Sequence, residues 1–117
     1  MVTRCTSGAS LRVVSLRGPA IADAVTLTFD DGASPESTPR TLDLLDTLGM
    51  RATFFVLGTQ AESHPDLVSE ILRRGHSVGS HGSLHEHHLL RVPAWIREDL
   101  NRSVASIEAV AGCRPRW

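Results

Sequence analysis

A parallel α/β sheet covered by helices is the fold class predicted for this 117-residue chain. Three observations predict it. Apolar, β-branched runs alternate with amphipathic stretches, in a strand, loop, helix order that recurs three times. The strand runs are continuously apolar, as strands covered on both faces are. The densest polar clusters follow strand runs, and in parallel α/β folds the chemistry sits beyond the C-terminal strand ends.

Val25-Thr26-Leu27-Thr28-Phe29 is the first strand, running into a tight loop at Asp30-Asp31-Gly32. Thr38-Pro39 then reads as an N-cap followed by proline at the first helical position. Leu44, Leu45 and Leu48 set an apolar stripe on that helix, and Gly49 stops it. Residues 52–57 (ATFFVL) form the second strand. His64-Pro65 opens a second helix with Leu67, Val68, Ile71 and Leu72 on one face and Gly75 at its end. Ser77-Val78-Gly79 is a short third strand. Pro93 precedes a third helix that carries Ile96, Leu100, Val104 and Ile107 and ends at Gly112. Residues 11–16 read as a possible extra strand.

Hydrophobic residues make up 41% and charged residues 21%, a balance that fits one globular domain and excludes wholesale disorder. Twelve basic residues against thirteen acidic ones leave a net charge of -1. No field of one sign organises the chain, which excludes nucleic acid as the expected partner. No apolar run approaches the roughly 20 residues of a membrane span. Residues 1–20 lack the apolar core of a secretory signal, so the default expectation is a cytoplasmic protein. Cys5 and Cys113 stand near opposite ends without CxxC spacing and read as two incidental thiols.

Two clusters carry chemistry. In Thr28-Phe29-Asp30-Asp31-Gly32, two adjacent carboxylates repel each other unless a positive group lies nearby. Neighbours in a regular strand point to opposite faces, so both reach one site only if the strand ends between them, and Gly32 permits that bend. In His81-Gly82-Ser83-Leu84-His85, two imidazoles four residues apart can converge on one metal ion. Two histidines and a carboxylate suit zinc, and equally ferrous iron. Each cluster alone has a plainer reading: Asp-Gly is a common turn pair, and the histidines fit a surface loop. His87 and His88 are expected in solvent, with one a possible further ligand; His64 is expected at a helix start and His76 at a strand edge. Together the clusters are stronger, because both follow strands of one parallel sheet and share its C-terminal edge. A metal-activated water beside a general base is then expected.

The sequence resembles the polysaccharide deacetylase family (carbohydrate esterase family 4), whose shared catalytic region is the NodB homology domain. Its first motif, TFDDG, stands intact as residues 28–32, and its second, H[ST]xxH, stands as residues 81–85. Between them Thr53-Phe54-Phe55-Val56, Gly58, His64-Pro65, Gly75-His76 and Gly79 follow in the family's order. The resemblance covers roughly residues 24–117 and implies a metal-dependent hydrolase that removes N- or O-acetyl groups from chitin-like, peptidoglycan or related sugars. By position it implies Asp31, His81 and His85 as metal ligands and Asp30 as catalytic base. It implies a divalent metal, zinc first among them, and an acetylated carbohydrate as partner.

Two departures from the family pattern stand out. Gly82 replaces the usual Ser or Thr. Gly112-Cys113-Arg114-Pro115-Arg116 resembles the stretch leading into the family's third motif, so the arginine that tunes the base and the later general-acid histidine are not found. A (β/α) barrel needs roughly 200 residues, and three βα units are present. The expectation is therefore a distorted or incomplete (β/α) barrel, with residues 1–22 an extension and residues 23–117 a partial NodB domain. Self-association through an open sheet edge is a further expectation. The alternative is a truncated, non-catalytic remnant that binds metal or sugar.

Overall fold

The computed structural model describes residues 25–117. Three strands, β1 (Leu27–Gly32), β2 (Ala52–Val56) and β3 (Ser77–Ser80), form one parallel sheet in the order β1-β2-β3. Four helices connect or follow them: α1 (Thr38–Leu48), α2 (Gly58–Ser63), α3 (Pro65–Arg73) and α4 (Pro93–Ala111). The parallel βα order is the one expected from the alternating pattern. The possible strand at 11–16, the extension at 1–22 and Cys5 lie outside the described residues.

One apolar core joins the sheet to its helices. Leu42 and Leu45 of α1, Phe54 and Val56 of β2, Val68 and Ile71 of α3, Val78 of β3 and Ile107 of α4 are buried together. The stripe expected on α1 is rotated: Leu42 and Leu45 face the core, whereas Leu44 and Leu48 are exposed. Thr38 is not the N-cap. It is the first residue of α1 and accepts a 2.9 Å hydrogen bond from the Ser34 amide on its Oγ1, while Ser37 holds the cap position. Gly49 and Gly112 close α1 and α4 in the left-handed conformation, as expected of helix stops.

α2 is an addition to the expected pattern. Six residues with Ala61 as their one buried large-enough apolar anchor show no helical periodicity in the sequence. α4 also turns differently from expectation. Its buried residues are Asp99, Ser103, Ser106 and Ile107, at helical spacing, and Leu100 is exposed. Small and polar side chains face inward because α2 lies close against α4: a Cβ added at Gly58 would sit 2.9 Å from the Ser103 Cα.

Arg74 ties α1 to the end of α3. Its guanidinium reaches Asp43 at 2.7 Å, Asp46 at 2.9 Å and Glu70 at 2.7 Å. The Arg73 guanidinium, and after it that of Arg74, hydrogen-bonds Glu70 and holds its carboxyl below the usual carboxylate range. Beyond α4 the chain returns to the sheet, where the Ser80 amide donates to the Trp117 carbonyl at 2.7 Å. Cys113 is disulfide-bonded, which corrects the expectation of a free thiol there.

Candidate metal centre

The C-terminal ends of the three strands are level. Gly32 pairs with Val56 and Val56 with Ser80, so residues just before Gly32 and just after Ser80 meet at one edge. The β1–β2 register slips between Phe29 and Gly32, a bulge that re-aims the two aspartates between them. The bend expected at Gly32 sits on Asp31 instead, whose φ is 63°. Aspartate tolerates this left-handed conformation better than most residues, and held strain of this kind collects at functional sites.

Asp31, His81 and His85 come together. His81 Nε2 lies 3.1 Å and His85 Nε2 3.4 Å from Asp31 Oδ1, and the two imidazole centroids are 6.5 Å apart. Among the described residues no group of three or more His, Cys, Asp or Glu side chains is already positioned to hold a metal ion. The two donor–donor distances that meet at Asp31 nonetheless suit an ion. Zinc bonds of about 2.0–2.1 Å set tetrahedral donor edges of about 3.3 Å, and the two edges that meet at Asp31 bracket that value. Two imidazole nitrogens and one carboxylate oxygen leave a fourth position open, so the residues fit a catalytic rather than a closed structural site.

Asp30 is exposed beside Asp31, and no described side chain pairs with its carboxylate. The two aspartates line a cavity of about 360 Å³ together with Phe29, Ser34 and Thr41. A second cavity of about 460 Å³ is lined by His81, His85, His87, His88 and Leu100. The aspartates of the cluster thus line one hollow and its histidines another.

The loop bearing the histidines is fastened by its backbone. The Gly58 amide donates to the Gly82 carbonyl at 2.9 Å, and the Thr59 amide and hydroxyl donate to the Ser83 carbonyl at 3.2 and 3.0 Å. The His81 amide donates to the Val56 carbonyl at 3.0 Å, continuing the β2–β3 ladder into the loop. From the other side comes Asp99 of α4, a residue that sequence reasoning missed. Its carboxylate accepts from the amides of Ser83 at 3.0 Å and Leu84 at 3.3 Å. His88 also departs from expectation: it is half-buried, with Nε2 3.3 Å from Asp99 and its ring edge-on to Trp95. His87 is exposed, as expected. The available signal for Asp99 was its helical spacing with Ser103, Ser106 and Ile107, a stripe that the search for large apolar residues passed over.

A family model described as polysaccharide deacetylase matches residues 17–117. The chain belongs to the polysaccharide deacetylase family. Among its relatives, a peptidoglycan-N-acetylglucosamine deacetylase of Bacillus cereus is 35% identical over 100 residues, which are 86% of this chain and 36% of that protein. A family 4 carbohydrate esterase from Streptomyces lividans, solved in complex with acetate, superposes with a TM-score of 0.75 at 35% identity, covering 79% of this chain and 47% of that one. A family 4 acetyl xylan esterase from Clostridium thermocellum, solved with a cobalt ion, gives 0.73 at 33% identity over 78% and 45% of the two chains. The chain therefore spans less than half the length of these relatives, and its three-stranded sheet corresponds to part of their fold.

Proposed function

We propose that this chain carries the metal-binding part of a carbohydrate deacetylase, in which Asp31, His81 and His85 hold a divalent ion, zinc first among the candidates, and Asp30 is the catalytic base. The observation that carries the reading is the approach of both imidazole nitrogens to one Asp31 carboxylate oxygen, at 3.1 and 3.4 Å, beside an unpaired carboxylate. When bound, such an ion supplies an acidified water and polarises an acetyl carbonyl. Asp31 Oδ1 is the atom that both histidines approach, which leaves Asp30 to take the proton of the attacking water. The water oxygen bonds to the acetyl carbon, the C–N or C–O bond to the sugar breaks, and the proton held on Asp30 passes to the leaving nitrogen or oxygen, giving acetate and a free amine or hydroxyl on the sugar. The relatives' names, a deacetylase of an N-acetyl sugar and an esterase of acetyl xylan, support the substrate class and leave both bond types open.

The three βα units are read as the first part of a (β/α) barrel of the NodB type, with residues 1–22 as an extension. Self-association through a sheet edge is part of this reading, to be seen as a concentration-dependent mass in sedimentation equilibrium. The bonded Cys113 supports action in an oxidising compartment rather than the cytosol. Recovery of Cys113 as a free thiol from the protein isolated under thiol-blocking conditions would sink that assignment.

A second reading is a metal- or sugar-binding domain without turnover. It is favoured by one observation: no described arginine pairs with Asp30, and Arg116 lies instead over the Trp117 ring at 4.6 Å. Two measurements separate the readings. Zinc titration should show one tight site that His81→Ala and His85→Ala each weaken at least about 100-fold; unchanged affinity in either variant removes the metal assignment. Acetate release from acetylated chito-oligosaccharide, lost in Asp30→Asn, supports the enzyme. Zinc binding with no acetate release supports the binding domain.

A further inference from the structure

We infer that Asp99 is the positioning residue of the histidine loop, and that Gly82 is glycine because the Asp99 carboxylate occupies the space of a side chain there. The inference rests on the metal reading of His81 and His85 and adds to it a residue from an element distant in sequence.

Asp99 is 3% exposed, and a carboxylate is almost never fully buried unless it has partners. Its partners all belong to one segment. Oδ2 accepts from the Ser83 amide and Oδ1 from the Leu84 amide, the two residues between Gly82 and His85. His88 Nε2 approaches Oδ2 at 3.3 Å from just beyond the loop. On the opposite side, the start of α2 takes the carbonyls of Gly82 and Ser83. The peptide groups between the histidines are thus held by their carbonyls from α2 and by their amides from α4. A loop gripped on both sides has one conformation, and that conformation directs both imidazoles at Asp31.

Gly82 supplies the independent observation. Its φ is +84°, and a Cβ built on it would lie 2.8 Å from Asp99 Oδ2, closer than real Cβ contacts come. The loop therefore accommodates either a side chain at residue 82 or the Asp99 carboxylate in this position. Here the carboxylate makes the polar contacts inside the loop, which explains how it keeps its shape without the Ser or Thr hydroxyl expected at residue 82.

The test uses the full chain with Asp99→Asn and Asp99→Ala, and Glu98→Gln on the solvent side of α4 as control. Asparagine keeps the size but offers one acceptor oxygen, so one of the two amides loses its partner. Zinc and cobalt(II) affinities should fall about 10- to 100-fold in the order wild type, Asn, Ala, as for other groups that orient ligands. The visible cobalt(II) band should shift, and in metal-free protein the Ser83 and Leu84 amides should exchange faster with helix content unchanged. Glu98→Gln should match wild type throughout. A folded Asp99→Asn with wild-type metal affinity, cobalt spectrum and amide protection overturns the inference, and it decides the matter if Asp99→Ala does not fold. If wild type binds no metal, the metal reading fails, and amide exchange alone decides whether Asp99 fixes the loop.

Discussion

His76 shows what burial does to a single titratable residue. It is 1% exposed at the start of β3, its Nδ1 accepts from the Ala52 amide at 3.3 Å, and its Nε2 has no partner. Burial, reinforced by Arg51 and Arg74 and opposed by Asp46, holds the imidazole below its ordinary value of 6.5. The unfolded chain therefore binds a proton more readily than the folded one between the two values. Stability is complete above about pH 6.5 and declines as pH falls below it, levelling off only beneath the folded value. Urea unfolding of metal-free protein should show a lower midpoint at about pH 5.5 than at about pH 7.5, and His76→Gln should flatten that dependence. An equal dependence in the variant would assign it to other groups. The same residue shows the reach of sequence reading: its position at the strand's edge was legible, and its burial against Phe54 was not, because that depends on what packs over it.

At the scale of elements, the three strands and the three longer helices were legible because each has its own apolar run or stripe and a proline or glycine at a boundary. α2 was not, since its place is set by Gly58 fitting against Ser83 and Ser103 rather than by any period of its own. The inward faces of α1 and α4 were misread for one reason: leucines were given more weight than spacing. Leu42 was passed over and Leu44 included, although Leu42 is fully buried and Leu44 is 58% exposed. The structure reverses their expected effects. Leu42→Ala should cost about 2–5 kcal/mol of unfolding free energy, the range for deleting a buried leucine side chain. Leu44→Ala should stay within about 0.5 kcal/mol of wild type, as exposed substitutions do. Denaturant titration of the two variants checks both, and comparable losses would mean that α1 is rotated from the position described. The candidate site divides the same way: Asp30, Asp31, His81 and His85 were legible in two local motifs, whereas Asp99 acts across the fold on another element's backbone.

For the whole molecule, the decisive fact is that the three donors belong to opposite edges of the sheet. Asp31 is on β1 and the histidines follow β3, with β2 between them. They come within reach only when all three strands are paired in register, so the unfolded chain has no equivalent site. An ion that binds the folded state alone stabilises it by mass action, about 2.7 kcal/mol at a free concentration 100 times the dissociation constant. For a domain near this size, that raises the thermal midpoint by on the order of 10 °C. Zinc should produce such a rise, a chelator should reverse it, and His85→Ala should remove most of it while folding without metal as wild type does. Because the His85 side chain is largely exposed, its loss should leave the fold little changed, so the comparison isolates the ion's contribution. A full zinc-dependent rise in His85→Ala would mean that the ion binds elsewhere and that the sheet edge is not where the metal acts.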